Sequence, residues 1–206
     1  MSHEPPTTLR TNAGARVDSV TGFALARPDV SPTDNIDAAL LRNRAFAAAG
    51  GHQGAVVFPT LRLFVITCLD PRTDPAHFLG LGLSDAMVVR NAGGRVTPQV
   101  INDVAFIGQL AERAVPDGPL FEVAVIHHTQ CGTGALADDA FRLRYAKRIG
   151  ADESGLREHA VLDPVATVTR DVERLRRATA VSSRVTVSGH VYDVVSGLVQ
   201  TVLRQA

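Results

Sequence analysis

The stretch VITCLDPR, residues 65–72, connects an apolar segment to three reactive side chains. It continues the apolar, β-branched run LRLFVITC (61–68), a pattern typical of a parallel strand that is covered on both faces. The run ends in a thiol, a carboxylate and a guanidinium at alternate positions, Cys68, Asp70 and Arg72. The sequence therefore predicts a buried strand that delivers polar groups where it leaves the sheet.

Three further segments, all on the C-terminal side of this stretch, are also predicted to form strands. They are AMVVRN (86–91), FEVAVIHH (121–128) and RVTVSGHVYDVVSGLVQTVL (184–203), the last folding back at Ser196-Gly197 as a short antiparallel strand. Helical patterns lie between them, at about 36–49, 75–80, 98–113, 133–148 and 164–178. Alternation of strands and helices predicts an α/β fold, with a mainly parallel β-sheet of about four strands plus a short antiparallel strand, flanked by helices.

The chain of 206 residues is predicted to form one domain and an N-terminal arm. Residues 1–33 contain turn formers and little periodicity, so we expect a partly irregular arm. Thr33 or Asp34 is a candidate cap for the helix at 36–49, which Gly50-Gly51 would end. Residues 34–206 are predicted to form a single α/β domain.

Composition argues against several classes of partner. The formal net charge is zero, with 21 basic and 21 acidic residues, so no basic face for nucleic acid is expected. No apolar run approaches the ~20 residues of a membrane span. The N-terminal segment lacks the apolar region of a secretory signal, which predicts a cytoplasmic protein. In a reducing cytoplasm, a structural disulfide between Cys68 and Cys131 is not expected.

The polar residues that follow the predicted strands are expected to meet. Cys68 follows the first strand, Gly93 and Gly94 follow the second, and His128 and Cys131 follow the third. In open parallel sheets, ligands bind beyond the carboxyl ends of the strands, near a switch in strand order. These residues therefore predict one cleft.

Thiol chemistry without a metal is weakly supported. A Cys-x5-Arg phosphatase loop would need arginine at positions 74 or 137, which are Asp74 and Ala137. The redox motif Cys-x-x-Cys is also absent from the sequence. A Cys-His catalytic pair and a redox sensor that uses Cys68 and Cys131 stay open as alternatives.

Metal binding fits the same residues better. His128 and Cys131 are three positions apart, so one local segment offers two ligands, and Cys68 offers a third. Two thiolates and an imidazole suit zinc, and three protein ligands leave the fourth position of a catalytic zinc site open. Each of these residues taken alone would more often be inert.

Asp70 and Arg72 would complete a catalytic site. A carboxylate next to the metal can accept a proton from a bound hydroxide, provided that it does not ligate the metal itself. Arg72 can hold Asp70 away from the metal by bidentate pairing. The alternative is a surface ion pair that contributes about 0–1 kcal/mol to stability.

These motifs resemble the signature of the β-class carbonic anhydrases. CLDPR (68–72) and HTQC (128–131) match its two halves, while RNAGG (90–94) and GHVYDVVSG (189–197) resemble its intervening and closing segments. The resemblance spans roughly residues 34–203. It implies one zinc ion per chain on Cys68, His128 and Cys131, with Asp70 orienting the zinc-bound hydroxide that hydrates carbon dioxide to bicarbonate and Arg72 as its partner. It also implies a homodimer or homotetramer, with the N-terminal helix packed on a neighbouring subunit.

The substrate stays open at this point. His127-His128-Thr129 resembles a subgroup that also contains carbonyl sulfide hydrolases, so carbonyl sulfide or carbon disulfide is an alternative substrate to carbon dioxide. An inactive, zinc-stabilised oligomeric module is an alternative of another class. His127 is interpreted as a packing residue with a possible role in proton transfer. Gln53, Gln99 and Gln130 are equally open as substrate contacts.

Overall fold

The computed structural model describes residues 16–17, 24–25 and 35–204. Most of the predicted arm, residues 1–33, and both candidate caps, Thr33 and Asp34, lie outside the described residues, so the division into arm and domain stays a prediction. Within the arm, β1 (Arg16–Val17) pairs with β2 (Ala24–Leu25) in antiparallel orientation.

One five-stranded sheet organises the rest of the described chain. Its strands are β3 (Leu63–Cys68), β4 (Ala86–Asn91), β5 (Glu122–His128), β6 (Thr186–Tyr192) and β7 (Val199–Leu203). Their order across the sheet is β4-β3-β5-β6-β7. The first four are parallel and β7 is antiparallel to β6, which confirms the predicted fold class.

The described residues also contain six α-helices: α1 (Asn35–Ala48), α2 (Pro75–Phe78), α3 (Pro98–Ala114), α4 (Asp139–Ile149), α5 (Glu153–Glu158) and α6 (Pro164–Arg176). The Thr97 hydroxyl accepts a hydrogen bond from the Val100 N–H, so Thr97 caps α3. Helix α5 was not predicted, because its six residues carry no apolar periodicity. None of the described helices is long and apolar enough to cross a membrane.

The main core lies on one face of the sheet, beneath α3 and α6. Val104 of α3 and Val172 of α6 are fully buried, together with Val125 of β5. On the opposite face, Val65 and Ile126 form a smaller cluster. Burial of valine side chains on both faces explains why the strands read as continuous apolar runs.

The strand order switches between β3 and β5. The chain moves from β3 outward to β4, crosses back through α3, and enters β5 on the other side of β3. Crossover connections that leave in opposite directions open a crevice at the carboxyl ends of the two strands. Cys68 ends β3 and His128 ends β5, so the fold brings them to the same crevice.

Candidate metal centre

Three possible metal ligands converge at this crevice. The sulfur atoms of Cys68 and Cys131 and a ring nitrogen of His128 all lie within 4.8 Å of one another, and the three residues are buried. Cys68 and Cys131 come from segments 63 residues apart, and their Sγ atoms are separated by 3.9 Å. The three residues predicted as ligands are therefore brought together.

His128 has one nitrogen engaged and one unengaged. Its Nδ1 lies 2.9 Å from the Thr129 carbonyl oxygen, which can only accept, so Nδ1 carries the hydrogen. Nε2 is buried, and nothing in the described part of the chain hydrogen-bonds to it. A buried ring nitrogen with a free lone pair costs free energy unless something binds it. A metal-ligating histidine typically donates its other ring N–H to such a carbonyl, as His128 does here.

The two thiols influence each other strongly. The hydrogen bond from the Cys131 thiol, together with that from the Asp70 backbone N–H, outweighs burial and lowers the pKa of Cys68. The resulting Cys68 thiolate, with burial, raises the pKa of Cys131. The pair thus readily holds one negative charge, and a divalent cation between the sulfurs would allow both to ionise. This donor set fits zinc.

The turn after β4 supplies a backbone donor to Cys68. The Gly93 N–H lies 3.3 Å from Cys68 Sγ, and this hydrogen bond favours the thiolate. Gly94 approaches β3 so closely that a Cβ there would lie 2.9 Å from the Thr67 carbonyl carbon. Both glycines have positive φ, at 84° and 65°, which explains the residue type at each position.

Asp70 and Arg72 pair as predicted. Arg72 Nε donates to Asp70 Oδ1 at 2.9 Å, and Nη2 donates to Oδ2 at 2.6 Å. Partial burial raises the pKa of Asp70, but the hydrogen bonds and charge of Arg72 outweigh burial and hold this pKa below its usual range. Asp70 is therefore an ionised acceptor at neutral pH.

Arg90 stabilises the loop that carries Asp70, a role that sequence analysis did not assign. Its Nε donates to the Cys68 carbonyl at 2.9 Å and its Nη2 to the Asp70 carbonyl at 2.8 Å. Its Nη1 also pairs with Asp74 at 3.1 Å. The only sequence signal for this role was its position in RNAGG, next to residues that face the crevice.

A buried polar network lies behind the candidate site. Asp171 of α6 accepts from Arg95 Nε at 2.7 Å and from the Val96 N–H at 3.1 Å. His127 Nε2 lies 3.2 Å from the Gly94 carbonyl and 3.3 Å from Asp171 Oδ2, and its Nδ1 contacts Thr167. His127 is fully buried and held on both nitrogens, so its position agrees with the interpretation as a packing residue. Sequence reasoning missed Arg95 and Asp171, which lie 76 positions apart.

Comparison with known proteins identifies the family. The family model described as carbonic anhydrase matches residues 63–199. β-Carbonic anhydrase 1 of Mycobacterium tuberculosis is 30% identical over 154 residues, which cover 72% of this chain and 87% of the relative. The chain therefore belongs to the β-carbonic anhydrase family.

A solved structure and a second kind of relative agree with this assignment. The carbonic anhydrase of Streptococcus mutans superposes with a TM-score of 0.69 at 28% identity, covering 84% of this chain and 100% of the other. A carbon disulfide hydrolase of Acidianus sp. is 28% identical over 156 residues, covering 65% of this chain and 73% of the relative. The relatives of this chain thus include proteins named as carbonic anhydrases and as carbon disulfide hydrolases.

Proposed function

We propose that this protein catalyses the zinc-dependent, reversible hydration of carbon dioxide to bicarbonate and a proton. Cys68, His128 and Cys131 would hold one zinc ion, and Asp70 and Arg72 would act next to it. The observation that carries the proposal is the buried, unengaged Nε2 of His128 beside two thiols, with the paired Asp70 and Arg72 on the adjoining loop. A purely structural zinc site would need no such acid-base pair.

Each residue has a distinct part in this proposal. Bound zinc would supply Lewis acidity, which lowers the pKa of water at the site. Asp70, ionised because of Arg72, can accept a hydrogen bond or a proton from a water molecule and orient it toward an electrophilic carbon. Arg72 restrains Asp70 through two hydrogen bonds from its guanidinium and one from its backbone N–H, which favours a carboxylate that stays off the metal.

A second candidate activity is hydrolysis of carbon disulfide or carbonyl sulfide at the same residues. It is favoured by the carbon disulfide hydrolase relatives and by the His127-His128-Thr129 sequence. Both activities begin with attack on a linear, electron-poor carbon, so the proposed metal ligands and Asp70 suit either one. The pocket walls would decide between them.

The experiment is a paired assay on protein with quantified zinc: stopped-flow carbon dioxide hydration, and sulfide release from carbonyl sulfide and carbon disulfide, near pH 8. We expect fast hydration and little sulfide release. Asp70→Asn should keep its zinc and lose turnover by about a hundredfold, as is typical for loss of a general acid-base group. Asp103→Asn is the control, because Asp103 is a carboxylate on α3 that hydrogen-bonds to Gln99.

The outcomes separate the alternatives. Fast sulfide release with slow hydration would move the proposal to the second activity. Zinc-loaded protein that is silent in all assays would contradict both activities and favour the inactive module. Unchanged turnover in Asp70→Asn would remove Asp70 from the mechanism.

The proposal also includes a homo-oligomer and a cytoplasmic location. Helix α1 is exposed from Ile36 to Ala48, and Ile36 and Leu41 are 64% and 67% exposed. Apolar side chains on an exposed helix favour contact with another subunit. Light scattering should give the mass of a dimer or tetramer. The free thiols of Cys68 and Cys131 suit a reducing compartment.

A further inference from the structure

Gln130 has an unusual backbone conformation between two proposed metal ligands. Its φ is 54°, in the left-handed region that residues other than glycine rarely adopt. Among the described residues other than glycine, only Arg62, Ser84 and Gln130 have positive φ. Such a conformation persists where surrounding contacts hold it, and it often marks a functional position.

The contacts of Gln130 lead to Arg72. Arg72 Nη2 donates to the Gln130 carbonyl oxygen at 3.1 Å, and Nη1 approaches Gln130 Oε1 at 3.5 Å. The same Nη2 donates to Asp70 Oδ2 at 2.6 Å. Because Nη2 carries two hydrogens, it can serve both acceptors at once. The guanidinium therefore bridges the loop after β3 and the loop after β5, across 58 positions of sequence.

The left-handed backbone is what directs the carbonyl toward Arg72. A change of φ to the ordinary negative range would rotate the flanking peptide planes and turn the carbonyl to another direction. The Arg72 side chain is 36% exposed, whereas that of Asp70 is only 11% exposed. A half-exposed arginine has rotamer freedom that a second fixed acceptor removes.

We propose that Gln130 is a positioning residue: its backbone carbonyl, assisted by its side-chain amide, fixes the Arg72 guanidinium and so holds Asp70 away from the metal ligands. The inference rests on the proposed function, because it assigns Gln130 to the Asp70–Arg72 pair of that site. It also links the two loops, so the segment that carries His128 and Cys131 orients the arginine that restrains Asp70.

The test compares three substitutions in the zinc-loaded protein. Gln130→Gly permits the left-handed backbone and keeps the carbonyl, whereas the β-branched Gln130→Val disfavours that backbone. Ser84→Val is the matched control, because Ser84 has φ of 70° and contacts Val56 and Thr60 rather than the Asp70–Arg72 pair. The readouts are crystal structures of the zinc-loaded proteins at one pH, zinc content, and the separate values of kcat and KM.

We expect Gln130→Val to keep its zinc, to lose the bidentate Asp70–Arg72 pairing in the crystal structure, and to lose about tenfold in kcat, the lower end of effects for residues that orient a metal site. Gln130→Gly should keep the pairing and most of kcat. Ser84→Val should leave kcat unchanged. If Asp70 stays paired with Arg72 in Gln130→Val and kcat equals that of Gln130→Gly, the proposal is wrong.

A second variant covers failure of Gln130→Val to fold. Gln130→Glu has the same length and places a carboxylate near Arg72 Nη1, a nitrogen that Asp70 does not use. We expect this carboxylate to pair with Nη1 while Asp70 keeps Nε and Nη2, and a guanidinium that does not contact the new carboxylate would overturn the proposal. The crystallographic readout needs no substrate. Wild-type protein that binds zinc but shows no turnover would therefore contradict the proposed function, whereas the crystal structures of the variants would still decide the role of Gln130.

Discussion

The Cys68 sulfur is surrounded by groups that favour its thiolate form. It accepts hydrogen bonds from the backbone N–H groups of Gly93 at 3.3 Å and Asp70 at 3.5 Å. Asp70 is two positions away from Cys68, within the motif CLDPR, whereas Gly93 comes from another loop. A buried cysteine without such donors would have a raised pKa and would be a poor ligand. The surroundings of Cys68 therefore distinguish a candidate ligand from an inert core cysteine.

Zinc binding is tested at this scale by Cys131→Ser. A serine hydroxyl does not ionise near neutral pH and is a poorer zinc ligand than a thiolate, so zinc affinity should fall by about a hundredfold or more. Thr133→Val is the control, because the Thr133 hydroxyl lies 3.2 Å from Cys131 Sγ without being a proposed ligand, and its loss should have a smaller effect. Metal content after dialysis against a chelator measures both, and full retention in Cys131→Ser would contradict the ligand assignment.

At the scale of elements, the turn from Asn91 to Val96 connects β4 to the candidate site. The Asn91 side chain bonds both the N–H and the carbonyl of Arg95, at 2.7 Å and 2.8 Å, which closes the turn on itself. Inside this closed turn, Gly94 lies against β3 and Gly93 points its N–H at Cys68. The turn thus places the Gly93 N–H where it can hydrogen-bond to the Cys68 sulfur at the end of the neighbouring strand β3.

Gly94→Ala tests that turn. Its Cβ would meet the Thr67 backbone at 2.9 Å, and φ is 65°. We expect a loss of about 2–5 kcal/mol in the free energy of unfolding, combining the cost of left-handed backbone and of overpacking, together with weaker zinc binding. Gly118→Ala has φ of 79° and no heavy atom within 4 Å, so it should lose only about 1–2 kcal/mol and keep its zinc. Urea unfolding measures both, and equal losses would show that close packing on β3 is unimportant.

At the scale of the whole molecule, Asp171 joins three separate parts of the fold. From α6 it accepts hydrogen bonds from Arg95 and Val96 beyond β4, and it lies 3.3 Å from His127 on β5. Burial would raise the pKa of Asp171, but His127 and Arg95 outweigh burial and lower it to about 2. Asp171 thereby links α6 to the turn from Asn91 to Val96, which approaches the candidate site.

The lowered pKa of Asp171 predicts a pH dependence of stability. Because the native pKa lies below the unfolded value of 3.8, the contribution of Asp171 is complete above about pH 4 and declines as pH falls toward 2. We expect Asp171→Asn to lose about 3–5 kcal/mol at pH 7, since it leaves Arg95 without its carboxylate. The difference from wild type should shrink by about 2 kcal/mol between pH 5 and pH 2.

The control for this prediction is Glu173→Gln on the same helix. Glu173 pairs with Arg177 at 3.4 Å, and both side chains are at least half exposed, so its loss should cost less than about 0.5 kcal/mol at any pH. Urea unfolding of the three proteins across this pH range, with a chelator present, gives the comparison. A pH-independent difference between Asp171→Asn and wild type would contradict the assignment of this carboxylate.

The sequence by itself determined the α/β fold class and the residues that converge at the candidate site. Strand and helix periodicity is local, as is the cap that Thr97 forms on α3, and CLDPR and HTQC each place their polar groups at a strand end. These features depend on neighbours within a few positions. The short helix α5 was not predicted, because its six residues contain no repeating apolar pattern.

Only the tertiary structure decided which distant groups support those residues. The donation of Gly93 to Cys68, the pairing of Arg95 with Asp171 and the bridge from Arg72 to Gln130 join positions 25, 76 and 58 residues apart. These contacts follow from the strand order β4-β3-β5-β6 and from turns with positive φ. Strand order depends on how all the crossovers pack together, and no local pattern in the chain encodes it.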